Sequence, residues 1–209
     1  LRYEYLVDGV LLVEDGKIKD IGPAQRFLQA GFHLAVCQHD PDYLIVPGFI
    51  DTHVHSPQLD IIGSYGEQLL DWLNKYTFPA EARYADVTYA ATSAVAFLDS
   101  LLDAGTTTSL VFATSHLHAT DQLFEAADEK GMRLIAGKVL MDQNALPEIL
   151  DTAVGGIADS ETLIKKWHGA GRLGYGITPR FAGSSSVQQL QLAGELHKKY
   201  PDTWIQTHL

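Results

Sequence analysis

The sequence predicts an α/β protein: about the first five βα units of a (β/α)8 TIM-type barrel, preceded by a small β segment. Three observations predict it. From Pro47 onward, β-rich runs alternate with helical stretches that close on glycine, the pattern of right-handed βαβ units and a parallel sheet. No glycine-rich phosphate loop follows an early strand, as a doubly wound nucleotide fold would need; Gly155-Gly156 falls in a helix or loop with no strand before it. Finally, His53 and His55, Arg180 and His208 all fall at C-terminal strand ends, where barrels keep their sites.

The elements follow in order. Val10-Leu11-Leu12-Val13 and Ile18-Lys19-Asp20-Ile21-Gly22 read as strands joined through Asp15-Gly16, a hairpin dipeptide. Residues Ala24 to Ala30 suit a short helix capped by Gly31. Residues 1–46 are too few to bury a core of their own and read as part of a small β-sandwich domain. The barrel part, 47–209, opens with the apolar run Leu44 to Ile50 leading into the strand that carries His53. Further strands are expected at Thr106–Phe112, Arg133–Leu140, Leu173–Thr178 and Thr203–His208. Helices are expected at Val87–Ala104, Thr120–Lys130 and Ser160–His168, each followed by glycine (Gly105, Gly131, Gly169), and at Val187–Tyr200. Residues Leu69 to Phe78 read as an amphipathic, lid-like helix. A full barrel has eight strands and ~250 residues. The sequence is therefore expected to be the N-terminal portion of a longer polypeptide and not to fold stably alone.

Composition narrows the function. With 46% hydrophobic and 20% charged residues, the chain is ordinary for a soluble globular protein. A net charge of -11 repels phosphate backbones, which argues against nucleic acid while leaving an uncharged nucleobase open as ligand. The one cysteine, Cys37, fits a reducing compartment and reads as a small buried hydrophobe. Leu1-Arg2-Tyr3-Glu4-Tyr5 shows no signal-peptide pattern, and no apolar run approaches the ~20 residues that cross a bilayer. A cytoplasmic protein without a membrane partner is expected.

Asp51-Thr52-His53-Val54-His55 carries the chemistry. Side chains at i and i+2 of a strand leave one face, so His53 and His55 can converge on a metal ion, zinc or alternatively iron or nickel. The alternative is a pair of core histidines satisfied by backbone carbonyls. His208 ends its strand where a third ligand belongs, or is a surface histidine near a frayed end. A catalytic zinc takes three or more protein ligands and an open position for water, whose pKa it lowers to ~7. His116-Leu117-His118 is a second His-x-His, with only Asp121 nearby, and reads as loop or supporting histidines. Asp51 reads as structural, and His33, His39, His168 and His197 carry no motif.

Pro47-Gly48-Phe49-Ile50-Asp51-Thr52-His53-Val54-His55 resembles the first-strand signature of the metal-dependent amidohydrolase superfamily. Ser56-Pro57-Gln58, the stretch Leu69 to Glu81, Gly137-Lys138-Val139-Leu140-Met141-Asp142, Thr178-Pro179-Arg180-Phe181 and Ile205-Gln206-Thr207-His208-Leu209 narrow the resemblance to the guanine deaminases, in order along essentially the whole chain. The resemblance implies that His53, His55 and His208 bind Zn2+ (or Fe2+), and that His208 also borders the substrate. It further implies that Gln58 and Arg180 hydrogen-bond the purine, that Phe181 stacks on it, that guanine is hydrolysed to xanthine and ammonia in purine catabolism, and that the protein is a homodimer. An amide and a guanidinium fork do match the planar edges of guanine, and an aromatic face adds ~1–3 kcal/mol of stacking. Read without the resemblance, Gln58 is equally a solvated loop residue, Arg180 an ion-pair partner and Phe181 core. The family's proton-shuttling glutamate, later histidine and metal-binding aspartate would lie beyond Leu209, so no catalytic acid or base is visible. Two rivals stand beside this reading: a related purine, pyrimidine or triazine aminohydrolase, and an inactive amidohydrolase-like scaffold.

Overall fold

A computed structural model describes residues 3–30 and 36–209; the expected cap Gly31, His33 and the first two residues lie outside them. Contacts divide the chain into two units, 1–46 and 47–209. In the first, β1 (Gly9–Glu14) and β2 (Lys17–Pro23) pair antiparallel. Asp15 (φ 51) and Gly16 (φ 70) both take the left-handed conformation that a two-residue hairpin turn requires. A six-residue helix, α1 (Ala24–Gln29), follows.

In the second unit the strands are β3 (Phe49–His55), β4 (Thr106–Phe112), β5 (Arg133–Gly137) with its continuation β6 (Val139–Leu140), β7 (Leu173–Pro179) and β8 (Trp204–Ile205). All pair in parallel, with β4 between β3 and β5 and with β7 between β5–β6 and β8. Spatial order therefore follows chain order across five strand positions. A doubly wound sheet would reverse that order at a switch point, so this is barrel connectivity. The main crossovers are α4 (Val87–Asp103), α5 (Leu117–Glu129), α6 (Ala153–Trp167) and α7 (Val187–Lys199). Side-chain caps start three of them: Asp86 accepts from Tyr89 N at 2.8 Å, Thr152 from Gly155 N at 3.0 Å and Ser186 from Gln189 N at 3.1 Å. Left-handed Gly105, Gly131 and Gly169 end α4, α5 and α6 as expected.

The core lies between sheet and helices. Val111, Leu134, Ala136, Tyr175 and Ile177 face Phe97, Leu98, Leu123, Phe124, Leu163 and Trp167. A second cluster of Leu73, Phe78, Phe112, Val139, Met141 and Ile149 gathers near the strand ends. Among the described residues, no helix is long and apolar enough to cross a membrane.

Several expectations are corrected, beginning with Cys37, which is exposed and not buried. The run Leu44–Gly48 is exposed and precedes the strand, which starts at Phe49. The strand expected at Arg133–Leu140 breaks at Lys138, whose buried ammonium pairs with Asp151 at the start of α6 and, at 3.8 Å, with Asp159. Helix α5 begins three residues early, placing His118 on the helix and His116 at its N-cap. Helix α6 begins at Ala153, so Gly155-Gly156 is helical; propensity is overridden because Gly156 sits where a Cβ would meet Asp151 and Leu140 at 2.8 and 2.9 Å. The strand expected over Thr203–His208 keeps two paired residues, with a separate bridge from His208 to Phe181. The lid-like helix is really α2 (Leu69–Trp72), a π-helical turn (Leu73–Thr77) and α3 (Phe78–Ala82). A π turn rotates the helical face, so Leu69 and Leu70 stay exposed while Phe78 and Glu81 turn inward.

Gly137, at the break, is a position of obligatory smallness: a Cβ there would lie 1.7 Å from the Gly176 carbonyl oxygen and 2.3 Å from Thr178 Oγ1. The obstacle is backbone and cannot rotate away. Gly137→Ala is therefore expected to destabilise the full-length protein by about 3 kcal/mol or more in chemical denaturation, at the upper end for overpacking. A loss below about 1 kcal/mol would mean that β5 and β7 separate without cost.

Candidate metal centre

Three imidazoles converge at the strand ends. His53 and His55 close β3, and His208 follows β8. The His208 Nε2 atom lies 3.0 Å from His55 Nε2 and 3.2 Å from His53 Nε2. They form the one group of three or more metal-ligating side chains among the described residues, with ligand atoms within 4.8 Å of one another. Strand alternation puts His53 and His55 on one face, as their spacing predicts. Register slips by one residue between Asp51 and Val54, a bulge at which Asp51 Oδ1 accepts from His53 N at 3.0 Å. That hydrogen bond gives Asp51 its structural role.

Two neighbours orient the rings. Phe112, ending β4, lies beneath all three, with centroid distances of 5.0 Å to His53, 4.8 Å to His55 and 4.4 Å to His208. The Arg180 carbonyl accepts from His208 N at 3.0 Å and from His208 Nδ1 at 2.7 Å. A carbonyl can only accept, so Nδ1 carries the proton and Nε2 presents its lone pair. Burial, then the Arg180 charge, then the other two histidines press the His55 pKa down to about 3, and burial also lowers His208. Neutral imidazole is the form that binds metal. The separations of 3.0 and 3.2 Å lie close to the edge of a tetrahedron with metal–nitrogen bonds of 2.0–2.1 Å, roughly 3.3 Å. The donor set fits a single zinc-like ion.

The other residues with expected roles border the same cavity of about 640 Å³, lined by Gln58, Trp72, Arg180 and Phe181 beside the histidines. Gln58 sits in the 3-10 turn Ser56–Ile61, and its amide has no hydrogen bond among the described residues. Phe181 is half-buried, held by the bridge to His208. Arg180 is 2% exposed, and its Nη1 donates to both Glu81 oxygens at 2.7 and 2.8 Å. The acid is wholly buried, and that burial raises its pKa against the opposing pull of Arg180.

The second His-x-His does not join this centre. His118 Nε2 contacts the Tyr84 carbonyl at 2.9 Å, and Asp121 is engaged by Trp167 Nε1 at 2.6 Å and Lys166 Nζ at 2.8 Å. Reading the residues missed Glu81 and Phe112 as parts of the site. The available signals were an acid within the apolar turn Phe78–Ala82 and an aromatic at the end of a barrel strand.

Residues 44–209 match the sequence profile of the amidohydrolase family. The chain is 50% identical over 209 residues to guanine deaminase of Escherichia coli K12, covering 98% of this chain and 47% of that protein. Among solved structures, guanine deaminase from Bradyrhizobium japonicum superposes with a TM-score of 0.92 at 44% identity, over 96% of this chain and 43% of that one. Guanine deaminase from C. acetobutylicum, with guanine bound in its active site, gives 0.80 at 30% identity, over 95% and 47%. The chain spans about half the length of these relatives.

Two outcomes are expected for the full-length protein. His55→Ala purifies without stoichiometric metal by elemental analysis, and normal zinc occupancy in that variant would overturn the site. In metal-free protein, the unfolded chain protonates His55 below its ordinary pKa near 6.5, whereas the folded chain waits until about 3. Unfolding then takes up a proton, and stability falls as pH drops from about 6.5 toward 3. Thermal melts should fall from pH 7 to pH 5, and His55→Gln should fall less.

Proposed function

This chain belongs to the amidohydrolase family, and we propose that in its full-length form it hydrolyses guanine to xanthine and ammonia at a metal ion, zinc or alternatively iron, held by His53, His55 and His208. The observation that carries this reading is the meeting of three converging imidazoles with a buried guanidinium and an aromatic ring at one cavity. Identity of 50% to a guanine deaminase supports the substrate, as does likeness to a structure that holds guanine.

The residues divide the work. Arg180 supplies fixed donors for the acceptor edge of the base, the amide of Gln58 supplies a donor and an acceptor for another edge, and Phe181 offers a face for stacking. His208 borders both metal and base, its ring fixed by the Arg180 carbonyl. A bound zinc ion supplies Lewis acidity and makes water a nucleophile at neutral pH. Over the reaction the water oxygen bonds to C2 of guanine and its two hydrogens pass to ring N3 and to the amino nitrogen; the C2–amino bond breaks and the nitrogen leaves as ammonia. Trp72 and Leu73 form an apolar wall that limits competing water at the base.

We also infer a cytoplasmic homodimer serving purine catabolism, with residues 1–46 contributing to a small β-sandwich. The sequence resemblance, the single cysteine and the β1–β2 hairpin support these points.

The test is a spectrophotometric assay of the full-length, zinc-loaded protein against guanine, other aminopurines, cytosine and aminotriazines. Guanine turnover that is lost on chelation and restored by zinc is expected; turnover of another base but not guanine would overturn the substrate. Arg180→Ala keeps the backbone carbonyl that holds His208. It should therefore retain zinc while kcat/KM for guanine drops ~10- to 100-fold, the scale of a lost charged hydrogen bond.

A further inference from the structure

Arg180 is held in an unusual way. One terminal nitrogen, Nη1, donates to both oxygens of Glu81, at 2.7 and 2.8 Å. Its guanidinium carbon sits 5.3 Å from the Phe78 ring centroid, and Nη1 lies 3.8 Å from Met141 Sδ. Phe78 and Glu81 come from one turn of α3, directly after the π-helical turn that rotates them inward. With Nη1 turned to the Glu81 carboxylate and to Met141 Sδ, Nε and Nη2 remain, and neither has a hydrogen-bond partner among the described residues. Arg180 nevertheless lines the cavity beside the histidines. The Nε–Nη2 edge is the side-on fork of a guanidinium, and such a fork matches the paired O6 and N7 acceptors of guanine.

We propose that Glu81 is a positioning residue that sets base selectivity: by anchoring Nη1 of Arg180 through both carboxylate oxygens, it holds the Nε–Nη2 edge toward the cavity as the reader of a purine carbonyl oxygen and its neighbouring N7. Glu81 has no exposed surface, so it acts on the base only through Arg180. The preferred ligand class is a 6-oxopurine. A purine lacking that oxygen leaves half the fork of an almost fully buried guanidinium without an acceptor, which is how a polar pocket rejects it. This inference rests on the guanine-deaminating reading and adds to it the residue behind the discrimination.

The experiment uses full-length, zinc-loaded protein and two variants. Glu81→Asp keeps the charge that Arg180 needs but shortens its reach. Glu81→Gln keeps the reach but removes the charge. KM for guanine is expected to rise ~10- to 100-fold, with kcat falling by less and zinc content unchanged. The inhibition constant of 2-aminopurine, the same base without the oxygen, should move far less than KM, so preference for the 6-oxo base shrinks. A purely structural role would change guanine and 2-aminopurine alike. If Glu81→Gln does not fold, Glu81→Asp decides the matter alone. Undiminished preference for guanine in a folded variant overturns the role of Glu81, whereas absence of guanine turnover by the unaltered protein overturns the proposed function with it.

Discussion

Arg180 ties the two halves of the site together. Its carbonyl receives two hydrogen bonds from His208, which places a metal-facing nitrogen, and its guanidinium is anchored by Glu81. The residue is almost fully buried, so its charge cannot rely on water. Removing one member of such a pair costs about 3–5 kcal/mol because the other charge is stranded. Exposed pairs such as Arg83–Asp60 are screened by solvent and carry no comparable constraint. A displacement of the β7 end would disturb the imidazole cluster and the guanidinium together.

The barrel makes this coupling possible. His53 and His55 end the first strand position, Phe112 the second, Arg180 follows the fourth and His208 the fifth. Strands that run parallel bring all these ends to one rim. Phe112 then acts as a floor: at 1% exposure it is fixed by the core and fills the space beneath the three rings. Gly137 serves the same end less directly. Its missing Cβ lets β5 and β7 approach, and the break at Lys138 lets β6 pair with the last two residues of β7, just before Arg180.

Much of this was legible in the sequence, for identifiable reasons. Helices α4 and α7 and strand β4 stand within a residue of expectation, because periodicity, side-chain caps and β-branched runs are local signals. His53 and His55 announce themselves by spacing, and His208 by its strand-end position. What was hidden depends on contacts far apart in sequence. Glu81 and Arg180 are 99 residues apart, and nothing local marks either as the other's partner. The π-helical turn replaced an expected regular helix because packing of Phe78 and Glu81 outweighs the continuity of Leu69 to Phe78. The bulge in β3 was likewise invisible, since it is defined by register with β4.

The charge balance explains why an arginine can stand beside a metal centre at all. Among the described residues, Arg180 is the one charged side chain lining the cavity, and its cation helps keep His55 unprotonated, the form that binds metal. Alone, that cation would also repel a divalent ion. Glu81, in contact with the guanidinium, cancels most of the field at longer range because opposite charges a few ångströms apart act as a dipole. The three histidines are neutral when they bind metal, so the protein side of the site sums to nearly zero. The cavity wall then carries little net charge, while Arg180 keeps its directional donors. Lysine could not replace it: the ammonium lacks a second nitrogen to hold the anchor and a planar fork to read the ligand.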